Sequence, residues 1–188
     1  MNPSISYLIF VHNEGVLYLE PLFNILLKNK NDNDEIVVID DFSDDSSTLE
    51  TLYKFKDNIT IHKHKFEGDF SSHKNFGKTK CTKDFIFQID ADESPTPQFL
   101  SLLKEIIINN PIVEVYWLPR VNIVMGLTQE DINKWGWKIT RHEGAEMVQW
   151  PDYQGRIWKN VDYIKWEGKV HERLVGQNKH TLLPAFEE

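Results

Sequence analysis

Two aspartates separated by one residue, Asp90 and Asp92, have the residue type and spacing that most directly suggest chemistry. They follow the apolar run at residues 85–89, which is typical of a buried strand, and side chains two apart on extended backbone point to the same side. Paired carboxylates are costly to ionise together unless a divalent cation lies beside them, and oxygen ligands favour Mg²⁺ or Mn²⁺. The pattern therefore predicts a metal site, although an acidic turn before a helix beginning near Thr96 explains the same residues equally well.

Polar clusters also follow two earlier apolar runs. His12-Asn13-Glu14 comes after residues 5–11, and Asp40-Asp41 comes after residues 35–39. Asp40 can either contact a base or ribose or belong to a solvated loop, and we leave both interpretations open. We interpret the acidic residues that follow it as a solvated loop. Lys74, just before the strand that ends at Asp90, can pair with a phosphate or neutralise Asp90, and an exposed helical lysine is the alternative.

A third group of chemically capable residues lies late in the chain, among tryptophans. His171 is a candidate for the third metal ligand, and the planar fork of Arg156 suits a diphosphate. Asp152 provides a carboxylate that can accept a proton from an incoming hydroxyl group. Trp135 and Trp137 flank Gly136, and aromatic rings of this kind can stack on a ligand, although most tryptophans pack in a core.

The elements that position these residues follow from the periodicity of apolar side chains. Apolar runs predict strands, and three- and four-residue spacing predicts helices between them. Pro21 suits a helix only in its first turn, so that helix is expected to begin at residues 18–20. Ser47 and Glu50 predict a capping box, and Thr96-Pro97 predicts a helix start. The predicted strands are 5–11, 35–39, 59–62, 85–89 and 113–118, with short strands at 156–158 and 164–166, and a helix is predicted at 72–80.

Strands that alternate with helices predict an α/β fold with a Rossmann-like, mostly parallel central sheet flanked by helices. In such sheets ligands bind at the carboxyl ends of the strands, where the polar clusters are expected to meet. Beyond residue 120 the alternation stops, which indicates a smaller irregular region. We predict one domain over residues 1–188, with two halves at 1–118 and 119–188.

Composition narrows the class of protein. The 188 residues contain 40% hydrophobic side chains and carry a formal net charge of −8, which argues for a globular protein and against general nucleic-acid binding. Cys81 is the single cysteine, so no internal disulfide can form and a reducing compartment is expected. The sequence contains no signal peptide and no apolar stretch long enough for a membrane span, so we expect a cytoplasmic protein without a transmembrane segment.

Taken together, these segments resemble a family-two glycosyltransferase of the GT-A fold over roughly residues 4–175. The motifs that match in order and spacing are Phe10 to Glu14, Val38 to Asp44, Lys74 to Gly77, Gln88 to Glu93, Pro151-Asp152-Tyr153 with Arg156, and Val170-His171-Glu172. The last two are similar to those of the lipopolysaccharide-core glucosyltransferases.

The resemblance implies an inverting, metal-dependent transfer of a sugar from a nucleotide-diphosphate sugar, by default a UDP-sugar, to a hydroxyl of a glycan, glycolipid or glycoprotein. It implies Asp152 as the base, with Glu172 as the second choice, and Mn²⁺ or Mg²⁺ bound by Asp92 and His171 with Asp90 nearby. It implies donor contacts from residues of all the earlier motifs: Val11, His12, Asn13, Glu14, Asp40, Asp41, Lys74, Asp90, Ala91 and Arg156. It implies a nucleotide-sugar-binding half at 1–118 and an acceptor and catalytic-base half at 119–188, with Trp135 and Trp137 as candidates for stacking on an acceptor sugar. The chain is a candidate for one part of a longer protein.

Three other classes of protein share parts of this pattern. A haloacid-dehalogenase-type phosphatase also uses two aspartates spaced by one residue, but on its first strand and with Thr or Val where this chain has Ser94. A nucleotidyltransferase on a related fold usually has a basic glycine-rich loop after the first strand, where this chain has His12-Asn13-Glu14. The third class is a sugar-nucleotide-binding domain without turnover, against which Asp152 and His171 argue.

Overall fold

A seven-stranded sheet with helices on both faces forms the centre of the molecule in a computed structural model, which describes residues 2–142 and 144–185. The helices are α1 (Val16–Asn29), α2 (Ser46–Phe55), α3 (Phe70–Lys80), α4 (Pro97–Asn109) and α5 (Gln129–Trp135). The strands are β1 (Ile5–Val11), β2 (Glu35–Asp40), β3 (Thr60–Lys63), β4 (Phe85–Asp90), β5 (Val115–Arg120), β6 (Ile139–His142), β7 (Ala145–Val148), β8 (Asp152–Lys159), β9 (Lys165–Glu167), β10 (Arg173–Val175) and β11 (His180–Leu182).

The sheet has the strand order β11-β5-β8-β4-β1-β2-β3. β1 pairs in parallel with both β2 and β4, β2 pairs in parallel with β3, and β11 pairs in parallel with β5. β8 is antiparallel to both of its neighbours, β4 and β5. The prediction of a mostly parallel central sheet flanked by helices is confirmed.

Both faces of the central strands are buried, because alternate side chains pack into two apolar clusters. Ile9, Val38 and Phe87 belong to the larger cluster, which α1, α2 and α4 cover. Leu8 and Val37 belong to the second cluster, on the face that contains α3 and the β9–β10 hairpin. Burial on both faces explains why these strands are continuous apolar runs in the sequence.

Two predicted helix starts are wrong. α1 begins at Val16, so Pro21 is its sixth residue rather than part of its first turn. Pro21 and Leu17 are both exposed, so water can reach the Leu17 carbonyl that loses its helical hydrogen-bond donor. α2 begins at Ser46 with Asp45 as its N-cap, whose carboxylate accepts a hydrogen bond from the Thr48 amide at 2.8 Å.

The second half contains more regular structure than its sequence predicts. The short strand expected at 156–158 is the eight-residue β8, and α5, the β6–β7 hairpin, β10 and β11 were not predicted. Most of these elements are three or four residues long, too short to show a period in the sequence. Across residues 2–142 and 144–185, no helix combines the length and the apolar character that a membrane crossing requires.

Candidate functional site

The carboxyl ends of β1, β2 and β4 meet at one edge of the sheet. Val11 is in register with Asp40, and Phe10 is in register with Asp90, so the turns after these strands lie side by side. Two cavities open at this edge. The β1 cavity, of about 440 Å³, is lined in part by Phe10, His12, Asp41, Phe66, Lys74 and Asp90. The β5 cavity, of about 710 Å³, is lined in part by Phe87, Asp92, Glu93, Arg120, Asn122 and Arg156.

Asn13 organises the wall of the β1 cavity. Its side-chain oxygen accepts hydrogen bonds from the backbone amides of Asp44 and Asp45, both at 2.9 Å, and its amide group donates to the Asp44 carboxylate at 2.8 Å. The Asn13 backbone has a φ of 65°, which asparagine tolerates better than most residues. These bonds tie the turn after β1 to the start of α2, so Asn13 fixes the loops rather than facing the cavity.

His12 and Glu14 line the β1 cavity, as does Val11. The His12 ring nitrogen Nδ1 lies 2.8 Å from the Asp41 carbonyl oxygen, and the His12 backbone amide donates to the Glu14 carboxylate at 2.6 Å. The hydrogen bond to the Asp41 carbonyl raises the pKa of His12, and the Asp41 carboxylate adds to this effect. His12 can therefore donate a hydrogen bond at the cavity mouth.

The two aspartates that end β2 differ in position. The Asp40 side chain is 1% exposed, and its carboxylate accepts from the Ser43 amide at 2.9 Å and lies 3.8 Å from the Lys63 ammonium group. Asp41 lines the β1 cavity and accepts from the Phe66 amide at 2.8 Å. The structure thus brings Asp41 to the cavity and uses Asp40 to hold the turn. Ala91 is likewise buried beneath the site.

Lys74 joins the first half of the chain to the second. Its ammonium group is 2.5 Å from the Glu172 carboxylate and 4.1 Å from the centre of the Trp166 ring. The neighbouring Asn75 exchanges two hydrogen bonds with the Trp166 backbone, at 2.8 and 2.9 Å. Lys74 and Glu172 both line the β1 cavity, so a cation and a carboxylate face the same space.

Five charged side chains form a continuous series between the two cavities, which we call the carboxylate–arginine chain: Asp90, Arg156, Glu93, Arg120 and Asp152. Arg156 donates to Asp90 at 2.6 Å and also to Glu93. Arg120 donates to Glu93 at 3.3 Å and, through two nitrogens, to Asp152 at 2.6 and 3.0 Å. Three carboxylates face two guanidinium groups, so the chain retains one uncompensated negative charge.

The environment of this chain shifts its pKa values in different directions. Burial opposes ionisation of Asp90, but the charge and hydrogen bond of Arg156 outweigh it and lower the Asp90 pKa. For Glu93, burial outweighs the Arg156 charge and, together with the nearby Asp90 carboxylate, raises the pKa. Burial also opposes ionisation of Asp152, but hydrogen bonds from Asn122, Gln154 and Arg120 lower its pKa. Asp152 is therefore ionised at neutral pH, as a proton acceptor must be.

The predicted metal ligands are only partly gathered. Asp92, two residues after Asp90, is exposed and lines the β5 cavity. His171 is exposed in the turn between β9 and β10. Apart from residues 1, 143 and 186–188, the chain has no group of three His, Cys, Asp or Glu side chains arranged to hold a metal ion. Mg²⁺ and Mn²⁺ suit one or two carboxylates completed by water and phosphate oxygens. The exposed Asp92, beside a chain with excess negative charge, fits that kind of site.

Sequence reasoning did not assign a role to Glu93, Arg120, Asn122 or Gln154. Arg120 was missed because the fifth strand was predicted to end at Leu118, two residues too early. Asn122 and Gln154 hold the Asp152 carboxylate at 3.0 and 2.8 Å. A cation directly after a predicted strand was the signal that could have identified Arg120.

The two candidate acceptor tryptophans lie at the end of α5. The ring centres of Trp135 and Trp137 are 4.7 Å apart with an angle of 41° between their planes, and Trp135 is 52% exposed. Gly136 between them adopts a left-handed conformation with a φ of 63°, which ends the helix and brings the rings together. Neither ring lines the two cavities described above.

Several solved structures share this fold. TarS of S. aureus, residues 1–349, matches with a TM-score of 0.63 and 16% identity over 96% of this chain and 58% of that one. The same protein in complex with UDP-GlcNAc matches with a TM-score of 0.58 and 15% identity, over 98% of this chain and 60% of that one. GalNAc-T7 with UDP, GalNAc and Mn²⁺ matches with a TM-score of 0.51 and 20% identity, over 62% of this chain and 23% of that one.

The chain spans less than two thirds of the length of each of these proteins, and at these identities the likeness establishes the fold. The sequence profile of glycosyl transferase family 2 matches residues 6–160, which include β1 to β8 and both ends of the carboxylate–arginine chain. The chain therefore belongs to glycosyl transferase family 2.

Proposed function

We propose that this chain transfers a sugar from a nucleoside-diphosphate sugar to a hydroxyl group of a glycan-type acceptor, with inversion at the anomeric carbon. The observation that supports this proposal is the position of the carboxylate–arginine chain between two cavities at the carboxyl edge of the sheet. The β1 cavity, with Phe10 and Phe66 in its wall, suits the flat base of a nucleotide, and the larger β5 cavity suits the acceptor.

The donor class follows from the family and from the neighbouring structures. TarS and GalNAc-T7 are described with UDP or a UDP-sugar, which supports UDP as the nucleotide here. His12, Asp41 and Lys74 are placed to contact the nucleotide, because all three line the β1 cavity. Lys74 brings an ammonium group to that cavity, and an ammonium group contacts a phosphate through a single nitrogen.

We propose a divalent cation, Mn²⁺ or Mg²⁺, bound by Asp92 and Asp90 with His171 as a further ligand. When bound, the cation would stabilise the negative charge that develops on the leaving diphosphate. Arg156 would stabilise the same negative charge, because its side chain is only 9% exposed and its guanidinium group lies directly beside Asp90. Glu172, the residue after His171, pairs with Lys74 and lines the β1 cavity, which supports a position for this turn beside the nucleotide.

Asp152 is our proposal for the base that takes the proton of the acceptor hydroxyl. Its carboxylate is oriented by Arg120, Asn122 and Gln154 and is ionised at neutral pH. Glu172 is the alternative base, but its ion pair with Lys74 directs it to the β1 cavity. A single base without a second nucleophilic carboxylate fits direct displacement and therefore inversion. Trp135 and Trp137 are proposed to contact the acceptor.

Donor binding and transfer are tested separately. UDP binding is measured by titration calorimetry with and without Mn²⁺ for the unchanged chain, Asp92→Asn and the matched control Asp57→Asn, an exposed aspartate after α2. We expect Mn²⁺ to strengthen UDP binding in the unchanged chain and the control but not in Asp92→Asn. Equal Mn²⁺ dependence in all three would refute the metal assignment.

Turnover is followed by UDP release from a panel of UDP-sugars with sugar acceptors. Asp152→Asn should retain UDP binding but lose about 10²–10⁴-fold in rate, which is the usual contribution of a general base. Glu172→Gln tests the alternative base. If Glu172 is the base, Glu172→Gln should lose activity and Asp152→Asn should keep it. Release of a sugar 1-phosphate in place of UDP would instead indicate nucleotidyl transfer, and binding without any release would indicate a domain that only binds the nucleotide sugar.

A further inference from the structure

Glu93 is the carboxylate that two arginines share. One of its oxygens accepts hydrogen bonds from Arg156 and, at 3.3 Å, from Arg120. Its other oxygen accepts from the Asp90 backbone amide at 3.1 Å. The Asp90 carbonyl in turn accepts from the Glu93 backbone amide at 2.9 Å, which fixes the turn that follows β4. Glu93 therefore has little freedom to leave the two guanidinium groups.

The two arginines reach opposite ends of the site. Arg156 bonds to Asp90, which lines the β1 cavity, while Arg120 bonds to Asp152 on the far side of Glu93. Both arginines and Glu93 line the β5 cavity. Hydrogen bonds of these side chains connect Asp90, on the nucleotide side of the site, to Asp152 through Glu93.

A guanidinium group shared by two anions redistributes its bonding when the charge of either anion changes. A diphosphate beside Asp90 would compete with Glu93 for Arg156. Glu93 would then attract Arg120 more strongly, and Arg120 would hold Asp152 less strongly. Coupling of this kind is reciprocal, so a change at Asp152 must alter diphosphate binding by the same factor.

We propose that Glu93 is a positioning residue that couples diphosphate binding at Asp90 to the Asp152 carboxylate, by sharing Arg156 and Arg120 between them. This inference rests on the proposed function, which supplies the diphosphate. It assigns Glu93 no contact with the substrate. Its role is to make the strength of donor binding and the freedom of Asp152 depend on each other.

The test is a double-mutant cycle on UDP affinity, measured by titration calorimetry at a fixed Mn²⁺ concentration. In the unchanged background, Asp152→Asn should tighten UDP binding about fivefold, at the lower end of usual coupling because the chain is partly exposed to solvent. The reason is that Arg120, without its partner Asp152, neutralises Glu93 more fully and frees Arg156 for the diphosphate. In the Glu93→Gln background the same change should alter UDP affinity less than about twofold, because the amide does not attract either guanidinium group strongly.

Glu105→Gln is the matched control, since it makes the same change at an exposed glutamate of α4. In that background Asp152→Asn should again give the full effect. Arg120→Met removes the next member of the chain and should also abolish the effect, which provides a second test if Glu93→Gln does not fold.

An equal effect of Asp152→Asn on UDP affinity in the unchanged, Glu93→Gln and Arg120→Met backgrounds would overturn the inference while leaving the proposed function intact. Failure of the unchanged chain to bind UDP would overturn the proposed donor, and the inference with it. Thermal unfolding of each variant shows whether it is folded before its affinity is compared.

Discussion

Gly77 of α3 packs directly against Phe10 and Leu8 of β1, so Gly77→Ala tests how the fold positions the nucleotide cavity. A Cβ atom at this position would lie 2.7 Å from Cζ of Phe10 and 3.2 Å from Cδ1 of Leu8. Carbon atoms in contact are normally about 3.5–4.0 Å apart, so the Phe10 ring must move by roughly 1 Å. Such overpacking costs about 1–3 kcal/mol, and the better helix propensity of alanine returns about 1 kcal/mol.

The expected net loss is about 0–2 kcal/mol, or a decrease in Tm of up to about 8 °C for a chain of this length. Because Phe10 lines the β1 cavity, its displaced ring should also weaken UDP binding. Thermal unfolding and UDP titration are the two measurements. Gly155→Ala is the matched control, since its Cβ atom would meet the Trp117 ring at an ordinary 3.6 Å. A Gly77→Ala variant with unchanged Tm and unchanged UDP affinity would refute this account of the α3–β1 contact.

Three further predictions concern other parts of the molecule. Burial lowers the pKa of His73 below its usual value, so folding favours the neutral ring. The contribution of His73 to the free energy of unfolding should be fully present above about pH 6.5 and decrease as the pH drops below it. In urea unfolding, His73→Gln should lose less stability over this pH range than the unchanged chain. Lys104→Met should cost about 3 kcal/mol in urea unfolding, because it leaves the fully buried Asp34 carboxylate without its ion pair at 2.8 Å; a loss under 1 kcal/mol would contradict this. Trp135→Ala should lower kcat/KM for the acceptor while UDP affinity and Tm stay unchanged, and an effect on UDP affinity instead would place this ring on the donor side.

The first half of the fold was predictable because its elements are long and periodic. The strands that became β1, β2 and β4 are continuous apolar runs, and each ends where a polar cluster begins. The rule that ligands bind at the carboxyl ends of parallel strands then placed His12, Asp41 and Asp90 at one edge. It could not distinguish Asp40 from Asp41, because burial of the Asp40 carboxylate depends on contacts with Ser43 and Lys63.

The second half was poorly predicted because non-local pairing determines its structure. β8 pairs with β4 on one side and β5 on the other, and its sequence mixes polar, apolar and glycine residues without a clear period. Asp152 and Arg156 were identified from their residue types and from the resemblance, but their connection through Glu93 and Arg120 depends on side chains far apart in the chain. The spacing of residues in the sequence therefore does not predict which of these side chains bond to each other.

The central position of β8 has a consequence for the order in which the molecule forms. β8 separates β4 from β5, so the strands β5 and β11 are attached to the rest of the sheet through it. During synthesis, the first 150 residues can pair β1, β2, β3 and β4, but the edge of β4 stays open until β8 emerges. Joining Arg156 to Asp90 then closes a loop of 66 residues, which is a slow, non-local event. Nascent chains shorter than about 160 residues should therefore be vulnerable to association through the open edge of β4.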